Sequence, residues 1–322
     1  AKLQNSAIAS GWVYYHGSFA SAQGNEAWHW INEPDVQWVV NMRTASWTRF
    51  GIPPGMARIS GGANSGSNLL ANGESYILDW FPQTYTLSLD TFYMDKYEVT
   101  KTLWNTVTNW NNGNSYLYES AGPAKSTNHP VHSVNWYDCV KWCNARSQME
   151  GRTPVYYTNA SFTAVYKTGR VNNVYVDSNA NGYRLATSDQ WEYAARGGAV
   201  SHRYPWSDSN TIQHVRANYM SSVTNAYDTS PTRGYHPTYS SGSFPYTSPA
   251  GSFAANGFGL YDMAGNVWEW CFDWHPSYIG TARVIRGGSW DQAADYGRVG
   301  YRSAGYPNYA DNSDGFRTVL LP

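Results

Sequence analysis

The sequence predicts an α+β fold with low regular secondary structure and long ordered loops. Three short segments have the spacing and caps of helices, and a few short runs alternate like strands. Residues 199–258 are rich in Ser, Tyr, Thr, Pro and Asn, which is typical of loops. Aromatic residues make up 16% of the 322-residue chain, enough apolar surface to form a core and to argue against disorder.

The charge and hydropathy of the chain exclude several classes of partner. Lys and Arg total 22 and Asp and Glu total 23, so the net charge is -1 at pH 7. Such a chain has no overall positive field to attract nucleic acid or an anionic membrane surface. No run of about 18 apolar residues occurs, and the first ten residues lack an apolar signal region. We therefore expect no nucleic-acid partner and no membrane insertion.

The pattern divides the chain into an N-terminal extension and a main domain. Residues 1–54 contain short aromatic runs, such as Gly11–Tyr15 and Ala27–Ile31, which predict small strands. Nothing in this β-rich extension indicates a role. Pro53–Gly55 is a strong break, so we expect residues 55–322 to form the main domain.

The first elements of the main domain are predicted from alternation and helix caps. Leu87–Met94 alternates in polarity, which predicts a half-buried strand. Thr100 is expected to cap a helix that runs through Trp104 and Val107. Ser133 is expected to cap a second helix, whose core positions follow at helical spacing: Trp136, Cys139, Val140 and Cys143.

A third helix has the clearest boundaries. Thr187 is followed three residues later by Gln190, the spacing of a capping box. Gly197 and Gly198 predict where the helix ends, because glycine adopts the left-handed conformation of a helix C-terminus. Trp191, Ala194 and Ala195 are its candidate core residues.

The chain has three cysteines, Cys139, Cys143 and Cys271, which is too few for a disulfide framework. Cys139 and Cys143 are four residues apart in a helical pattern, so they share one helix face. We interpret them as small buried residues. A redox pair or half of a metal site is the alternative.

Motifs in series along the main domain resemble the formylglycine-generating enzyme, or sulfatase-modifying factor, family. They cover about residues 55–322 in the family's order, and together they are far more specific than any one alone. The resemblance implies the C-type-lectin-like fold in its formylglycine-generating-enzyme variant. The segments that carry it are Tyr97–Thr100, His129–Val131, Tyr183–Thr187, Trp191–Gly198, Asn256–Trp270, Arg283–Trp290 and Gly315–Arg317.

The resemblance also indicates that the family's chemistry is lost. Enzymatic members use two cysteines after the Gly-Gly-Ser-aromatic motif to bind copper and oxidise a substrate cysteine. Counted from Ser289, these positions fall on Gln292 and Gly297. Neither residue supplies the sulfur that soft copper ions require. We therefore expect no copper and no oxidase activity.

The segment that replaces the cysteines, residues 291–314, has the composition of a recognition surface. It contains four Tyr, four Asp, three Gly, two Ser and two Asn, and it has no Lys or Glu. Tyr gives rigid contact area at low entropic cost, while Ser, Gly and Asn give adaptable hydrogen bonding. We expect the backbone of this segment to be held by Gly287, Gly288, Arg302, Pro307, Gly315 and Phe316.

A framework with recognition residues between its ends resembles the variable proteins of diversity-generating retroelements, including that of Treponema. In those systems adenines of an Asn-rich template are randomised. Most residue types in 291–314 are reachable from an Asn codon, whereas Gln292 is not. We predict a solvent-facing ligand site formed by Trp290, Asp291, Asp295, Tyr296, Gly297, Gly300, Tyr301, Ser303, Ala304, Gly305, Tyr306, Asn308, Tyr309, Asp311, Asn312 and Ser313.

The function indicated by this resemblance is non-catalytic ligand binding and display, with a protein or glycan as ligand. The resemblance implies a lipoprotein displayed at the cell surface. Two alternatives stay open: an adhesin of fixed specificity, or an enzyme of the same family with altered chemistry. Since the whole chain is Tyr-rich, the segment could also be an ordinary loop.

A calcium site is the remaining candidate. Asp262 and Glu269 supply carboxylates, and Gly265 and Val267 supply backbone carbonyls, within one short stretch. Calcium prefers such hard oxygen ligands, and the family resemblance implies a structural calcium here. Alternatively, the two carboxylates brace the turn without metal. Arg286 and Arg317 are expected to hold the framework through charge-assisted hydrogen bonds.

Overall fold

The computed structural model describes residues 52–68, 83–110 and 113–322 in full, together with the backbone of five strands before residue 52. The chain divides into two compact units, residues 1–58 and 59–322. The domain boundary predicted after residue 54 and the role of the extension stay predictions.

The first unit is built from antiparallel strands. Strands β1 (Trp12–Tyr15) and β2 (Ser18–Ser21) form a pair. Strands β3 (Ala27–Glu33), β4 (Val36–Asn41) and β5 (Ser46–Gly51) form a three-stranded sheet in that order. Strand β6 is Met56–Ile59, and the boundary between the two units in the chain falls within it.

The second unit continues with three strands, β7 to β9, and the single strand predicted over Leu87–Met94 falls on two of them, β8 and β9. Strands β7 (Gly62–Ser67) and β8 (Thr84–Leu89) form an antiparallel pair. The chain then bends before strand β9 (Phe92–Asp95), so the prediction of one continuous strand over Leu87–Met94 is wrong. The two halves join different sheets, which alternation of polarity does not reveal.

Three helices follow, with caps close to those expected. Helix α1 is Lys101–Trp110, and the Thr100 hydroxyl accepts from the Leu103 N–H at 3.3 Å. Helix α2 is Trp136–Met149, and its cap is Asn135, whose side chain accepts from the Asp138 N–H. The prediction that Ser133 caps α2 is therefore wrong. Asn is an equally good cap, and it lies at the position where the helix starts.

Short strands separate α2 from the third helix. They are β10 (Tyr156–Tyr157), β11 (Tyr175–Val176) and β12 (Arg184–Leu185). Helix α3 is Ser188–Arg196. Both bonds of its predicted capping box are present, and Gly197 ends it in the left-handed conformation with φ 58°.

The remaining five strands lie before, within and after segment 291–314 in the chain. They are β13 (Trp268–Trp274), β14 (Arg283–Arg286), β15 (Ser303–Gly305), β16 (Asp314–Gly315) and β17 (Thr318–Leu320). One sheet has the order β15-β14-β13-β16, and β17 pairs with both β12 and β9 in another. The segment predicted as a recognition surface therefore starts after β14, contributes β15 and ends at β16.

Long ordered loops are the main feature of the second unit. Residues 197–267, all of them described, contain no helix or strand. The stretch packs on its own buried side chains, including Tyr204, Ile212 and Tyr219, and Ala294 of segment 291–314 belongs to the same cluster. The predicted α+β class with sparse secondary structure is confirmed.

The core beneath these loops is largely aromatic. Trp104 of α1 stacks on Trp142 of α2, and Phe316 packs edge-on against both rings. Cys139 and Cys143 are fully buried on α2, and burial raises the pKa of both thiols. These positions are those of small core residues, because a reactive thiol needs exposure and a lowered pKa.

Candidate recognition surface

The first half of segment 291–314 is held from below by a buried arginine. Arg286 of β14 donates through Nη1 to the carbonyls of Val299 (3.2 Å) and Tyr301 (2.8 Å). Its Nη2 donates to Glu192 of α3 at 2.9 Å. Because these bonds hold main-chain carbonyls, they fix the path of the segment whatever its side chains are.

Glu192 is the common partner of three arginines. It accepts from Arg196 at 2.7 Å, from Arg286 at 2.9 Å and from Arg302 at 3.4 Å. Burial would raise the pKa of Glu192, but Arg286, Arg196 and Arg302 outweigh it and lower the pKa to about 2. The carboxylate therefore stays ionised and links α3 to the segment.

The far end of the segment is held by a second buried pair. Arg317 donates to both oxygens of Glu269 at 2.7 Å. Trp191 of α3 donates its indole N–H to the same carboxylate at 2.7 Å. Arg286 and Arg317 thus hold the framework through charge-assisted bonds, as the sequence predicts.

Several predicted ligand residues are buried. Trp290 is 3% exposed and lies against Tyr235, Phe244 and Tyr246, while Tyr301 is 8% exposed. The expectation that the predicted ligand residues face solvent is therefore wrong for five of them, because residue composition does not reveal burial: Trp290, Gly297, Gly300, Tyr301 and Ser313.

Gly305 is a further correction. It lies in β15 against the ring of Trp270, where an added Cβ would approach within 2.5 Å of the ring. A side chain at this position would have to displace a fully buried tryptophan. Gly305 is therefore a packing residue, and its position is closed to variation.

Another group of predicted residues is partly buried. Asp291 accepts from the Ser289 hydroxyl at 2.6 Å, and Asp295 accepts from Asn225 at 3.3 Å. Tyr296 packs edge-on against Tyr301 with ring centres 5.1 Å apart. The remaining members of this group are Ser303, Ala304 and Asn312. These side chains border the surface.

The exposed part of the segment is residues 306–311, here called the tip loop. Tyr306 is 49% exposed and Tyr309 is 59% exposed, with ring centres 5.1 Å apart. Asn308 and Asp311 are also exposed. The tip loop therefore presents two neighbouring aromatic rings flanked by an amide and a carboxylate.

The main chain anchors the tip loop. The Trp136 N–H donates to the Pro307 carbonyl at 3.1 Å, and the Ser133 N–H donates to the Asp311 carbonyl at 2.9 Å. Pro307 itself is buried. None of these contacts uses an exposed side chain, so the loop can keep its path while those side chains change.

Sequence reasoning missed an aromatic patch beside the predicted site. Tyr235, Phe244 and Tyr246 pack on Trp290, and Phe244 is 56% exposed. The loop that contains Tyr235 and Phe244 is held by Lys125, which donates to the carbonyls of Tyr239 (3.0 Å) and Ser241 (3.1 Å). In the sequence, the aromatic patch is marked by aromatic residues within a Ser- and Gly-rich stretch.

The carboxylates of the predicted calcium site are engaged in other contacts in this structure. Glu269 accepts from Arg317 through both oxygens, and its Oε2 also accepts from Trp191. Asp262 accepts from the Gly251 N–H at 2.6 Å, and its Oδ1 has no partner. These contacts fit the bracing alternative, and calcium binding stays a prediction.

Three buried carboxylates, those of Glu98, Asp262 and Glu269, lie near the guanidinium of Arg317. Glu98 accepts from Asn266 Nδ2 at 2.7 Å and from the Val267 N–H at 3.2 Å. Burial, and then the charges of Asp262 and Glu269, raise the pKa of Glu98, while Arg317 lowers it. Burial likewise raises the pKa of Asp262 to about 6.

Comparison with known proteins identifies the family. Residues 45–321 match the Sulfatase-modifying factor enzyme 1-like domain. The chaperone protein LppX of Paenibacillus barcinonensis is 32% identical over 240 residues, 72% of this chain and 81% of that protein. A formylglycine-generating enzyme of Thermomonospora curvata is 34% identical over 234 residues, 65% of this chain and 62% of that protein.

Solved structures agree with this. Treponema denticola variable protein 1 superposes with a TM-score of 0.61 at 26% identity, covering 92% of this chain and 99% of that one. CarF superposes with a TM-score of 0.64 at 26% identity, covering 84% and 99%. The second unit therefore has the C-type-lectin-like fold of the formylglycine-generating-enzyme type. The chain belongs to the sulfatase-modifying factor family.

Proposed function

We propose that this chain is a non-catalytic ligand-binding and display protein, and that segment 291–314 is a diversified recognition surface. The observation that carries the proposal is the tip loop. It presents Tyr306 and Tyr309 to solvent on a backbone anchored to the buried Trp136 and to the partly buried Ser133. Rigid aromatic rings beside adaptable polar groups are the chemistry of a paratope.

Tolerance of substitution supports the diversified form of the proposal. Exposed side chains that make no buried contact usually change stability by less than about 0.5 kcal/mol when replaced. The tip loop meets this condition, because its anchoring bonds come from main-chain groups at Pro307 and Asp311. Similarity to Treponema denticola variable protein 1 agrees with this proposal.

The absence of thiolates at the family's copper positions supports the non-catalytic part. Counted from Ser289, these positions fall on Gln292 and Gly297, and the three cysteines of the chain are buried elsewhere. Burial raises the pKa of the Cys271 thiol as well. A relative named inactive Cα-formylglycine-generating enzyme 2, from Bos taurus, is 36% identical over 141 residues. We expect no copper in the purified protein and no peptide-cysteine oxidation.

The ligand class in this proposal is a protein or a glycan, and the place of display is the cell surface, through a lipid anchor. In the described part of the chain, no helix has the length and apolar character needed to cross a bilayer. Protease treatment of intact cells tests surface display, because a displayed domain is degraded and an enclosed one is protected.

Sequencing the 3′ end of the gene across a source population tests the diversification. We expect substitutions at adenine-derived codons within 291–314, concentrated at the exposed positions, with a near-identical template repeat and a reverse transcriptase gene nearby. An invariant segment without a template would overturn diversification and favour an adhesin of fixed specificity. Copper-dependent oxidation of a peptide cysteine would overturn the non-catalytic assignment.

A further inference from the structure

Two histidines pack together in the long loop region of the second unit. His214 is 5% exposed and His236 is 8% exposed, and their ring centres are 5.0 Å apart. The rings of Tyr239 and Phe253 also pack on His236, with ring centres 4.6 and 5.7 Å away. Because both imidazoles are buried, a proton added to either one would place a positive charge inside the protein.

The hydrogen bonds of His236 require the neutral ring. Its Nε2 lies 2.8 Å from the His214 carbonyl, which can only accept, so Nε2 carries the hydrogen. Its Nδ1 accepts from the Thr238 N–H at 3.2 Å. A proton on Nδ1 would bring two N–H groups face to face and would break this bond. His236 can therefore become charged only if the turn that contains Thr238 moves.

The ring of His214 tolerates both charge states. Its Nε2 donates to the Tyr219 carbonyl at 3.2 Å. Its Nδ1 lies 2.8 Å from the Thr232 hydroxyl, which can donate or accept because a hydroxyl rotates. A proton on Nδ1 of His214 would therefore keep both bonds. The two histidines thus differ in geometry, and His236 is the one whose bonds oppose a proton.

The charged groups around the two histidines were compared with this geometry. Burial lowers the pKa of His214, the bond to the Tyr219 carbonyl and the charge of Asp228 raise it, and Arg233 lowers it. Burial also lowers the pKa of His236, the bond to the His214 carbonyl raises it, and the charge of His214 lowers it. Asp228 accepts from the Tyr219 hydroxyl at 2.7 Å and from Arg233 at 3.1 Å, so it is committed to groups other than His236.

His236 also holds the turn that follows it. Its carbonyl accepts from the N–H groups of Tyr239 and Ser240 at 3.1 and 3.0 Å. Lys125 donates to the Tyr239 carbonyl at 3.0 Å and brings a further positive charge to the same turn. Residues 236–240 therefore depend on His236 through both its ring and its main chain.

The turn directly follows Tyr235 of the aromatic patch. Tyr235 packs on Trp290, with ring centres 5.6 Å apart. Trp290 donates its indole N–H to the carbonyl of Asn312, in segment 291–314, at 3.4 Å. A movement of residues 236–240 would therefore loosen the aromatic patch where it adjoins the recognition surface.

We propose that His236 is an acid-sensitive switch: protonation of its Nδ1 breaks the bond to Thr238, opens the turn 236–240 and loosens the contact of Tyr235 with Trp290. This device goes beyond the proposed display function and does not depend on it, because it concerns the protein's own loop. The pKa of His236 is lower in the folded protein than its ordinary value of 6.5, so the open turn binds the proton more tightly. The closed form of the turn is therefore most stable above about pH 6.5 and loses stability as the pH falls below that value.

Hydrogen exchange of the full chain, followed by mass spectrometry, tests the proposal. After correction for the intrinsic pH dependence of exchange, the rate in residues 235–246 is expected to rise by at least about threefold between about pH 7.5 and about pH 5. Helix α3 is the internal reference, since residues 188–196 contain no histidine. A corrected rate in 235–246 that does not rise relative to α3 would overturn the proposal.

Two variants test the histidine itself. His236→Asn removes the proton site but keeps an acceptor for Thr238, because an Asn side chain can accept from the backbone N–H two residues on. We expect the corrected rate in 235–246 to be independent of pH in this variant. His275→Gln is the matched control, because His275 is also 8% exposed and its Nδ1 accepts from the Ser277 N–H at 3.3 Å. This control should keep the full pH response of 235–246.

The two variants also separate the alternatives. A pH response that persists in His236→Asn would place the sensor in another group, such as His214, and would overturn the assignment. A response that is lost in His275→Gln would overturn it as well. If His236→Asn does not fold, the unmodified chain and His275→Gln still decide the outcome. A rise in both then supports the switch, and a flat response in the unmodified chain overturns it.

Discussion

The two halves of segment 291–314 have similar residue types but opposite surroundings. Tyr301 in the first half is 8% exposed, whereas Tyr309 in the tip loop is 59% exposed. Arg286 binds the carbonyls of Val299 and Tyr301 and thereby draws the first half into the core. The tip loop is anchored to Trp136 and Ser133 through the main-chain carbonyls of Pro307 and Asp311. A segment rich in Tyr, Gly and Asp is therefore suited to close contacts. The packing around each residue decides whether its side chain contacts the protein core or is free to contact a ligand.

The largest effect is expected from Glu192→Ala, which removes the link between α3 and the first half. It leaves Arg286 and Arg196 buried without their carboxylate, so we expect a loss of about 3–5 kcal/mol in the free energy of unfolding. Denaturant titration measures the loss. Asp189→Ala is the control, since Asp189 is exposed and pairs only with the partly exposed Arg302. A loss below about 1 kcal/mol would show that the first half does not depend on Glu192.

Replacing single tyrosines compares the two halves directly. Tyr301→Ala should cost about 3 kcal/mol, because a buried ring is lost from contact with Tyr296 and Trp268. Tyr309→Ala should change stability by less than about 0.5 kcal/mol and should weaken ligand binding. Thermal unfolding of the two variants and of the unmodified chain measures both changes in stability. Similar losses in both would remove the distinction between the halves.

Acid should act on the first half through Glu192. Its pKa is about 2 in the folded protein and is expected near the ordinary value of 4.5 when unfolded. A lowered folded pKa gives stability that is complete above the unfolded value, so this contribution falls as the pH is lowered from about 4.5 towards 2. The loss should reach at most about 3 kcal/mol. Unfolding measured across this range in Glu192→Gln should lack that part of the pH dependence.

The smallest effect is expected from calcium removal. Because Glu269 is committed to Arg317 and Trp191, a chelator should change the melting temperature by less than about 1 °C. Differential scanning calorimetry with calcium and with chelator measures the difference. A calcium-dependent rise that Asp262→Asn abolishes would instead establish the metal, and the turn before β13 would then be held by the ion.

Much of the local structure was predictable from neighbouring residues. The capping box of α3 depends on Thr187 and Gln190, which are three residues apart, so its two bonds follow from spacing alone. The predicted cap of α2, Ser133, lies two residues before the observed cap, Asn135, because Ser and Asn are both good caps. The strand over Leu87–Met94 was wrong because a bend between two sheets leaves no mark on alternation.

The candidate site divides along the same line. By itself the sequence determined the family motifs and the residue composition of 291–314, since these depend on residue identity and order. Only the tertiary structure decided that Tyr301 is internal, that Gly305 lies against Trp270, and that Asp262 Oδ1 is buried without a hydrogen-bond partner. Burial and pairing depend on residues far apart in the chain, such as Arg286 and Glu192, and no local pattern encodes them.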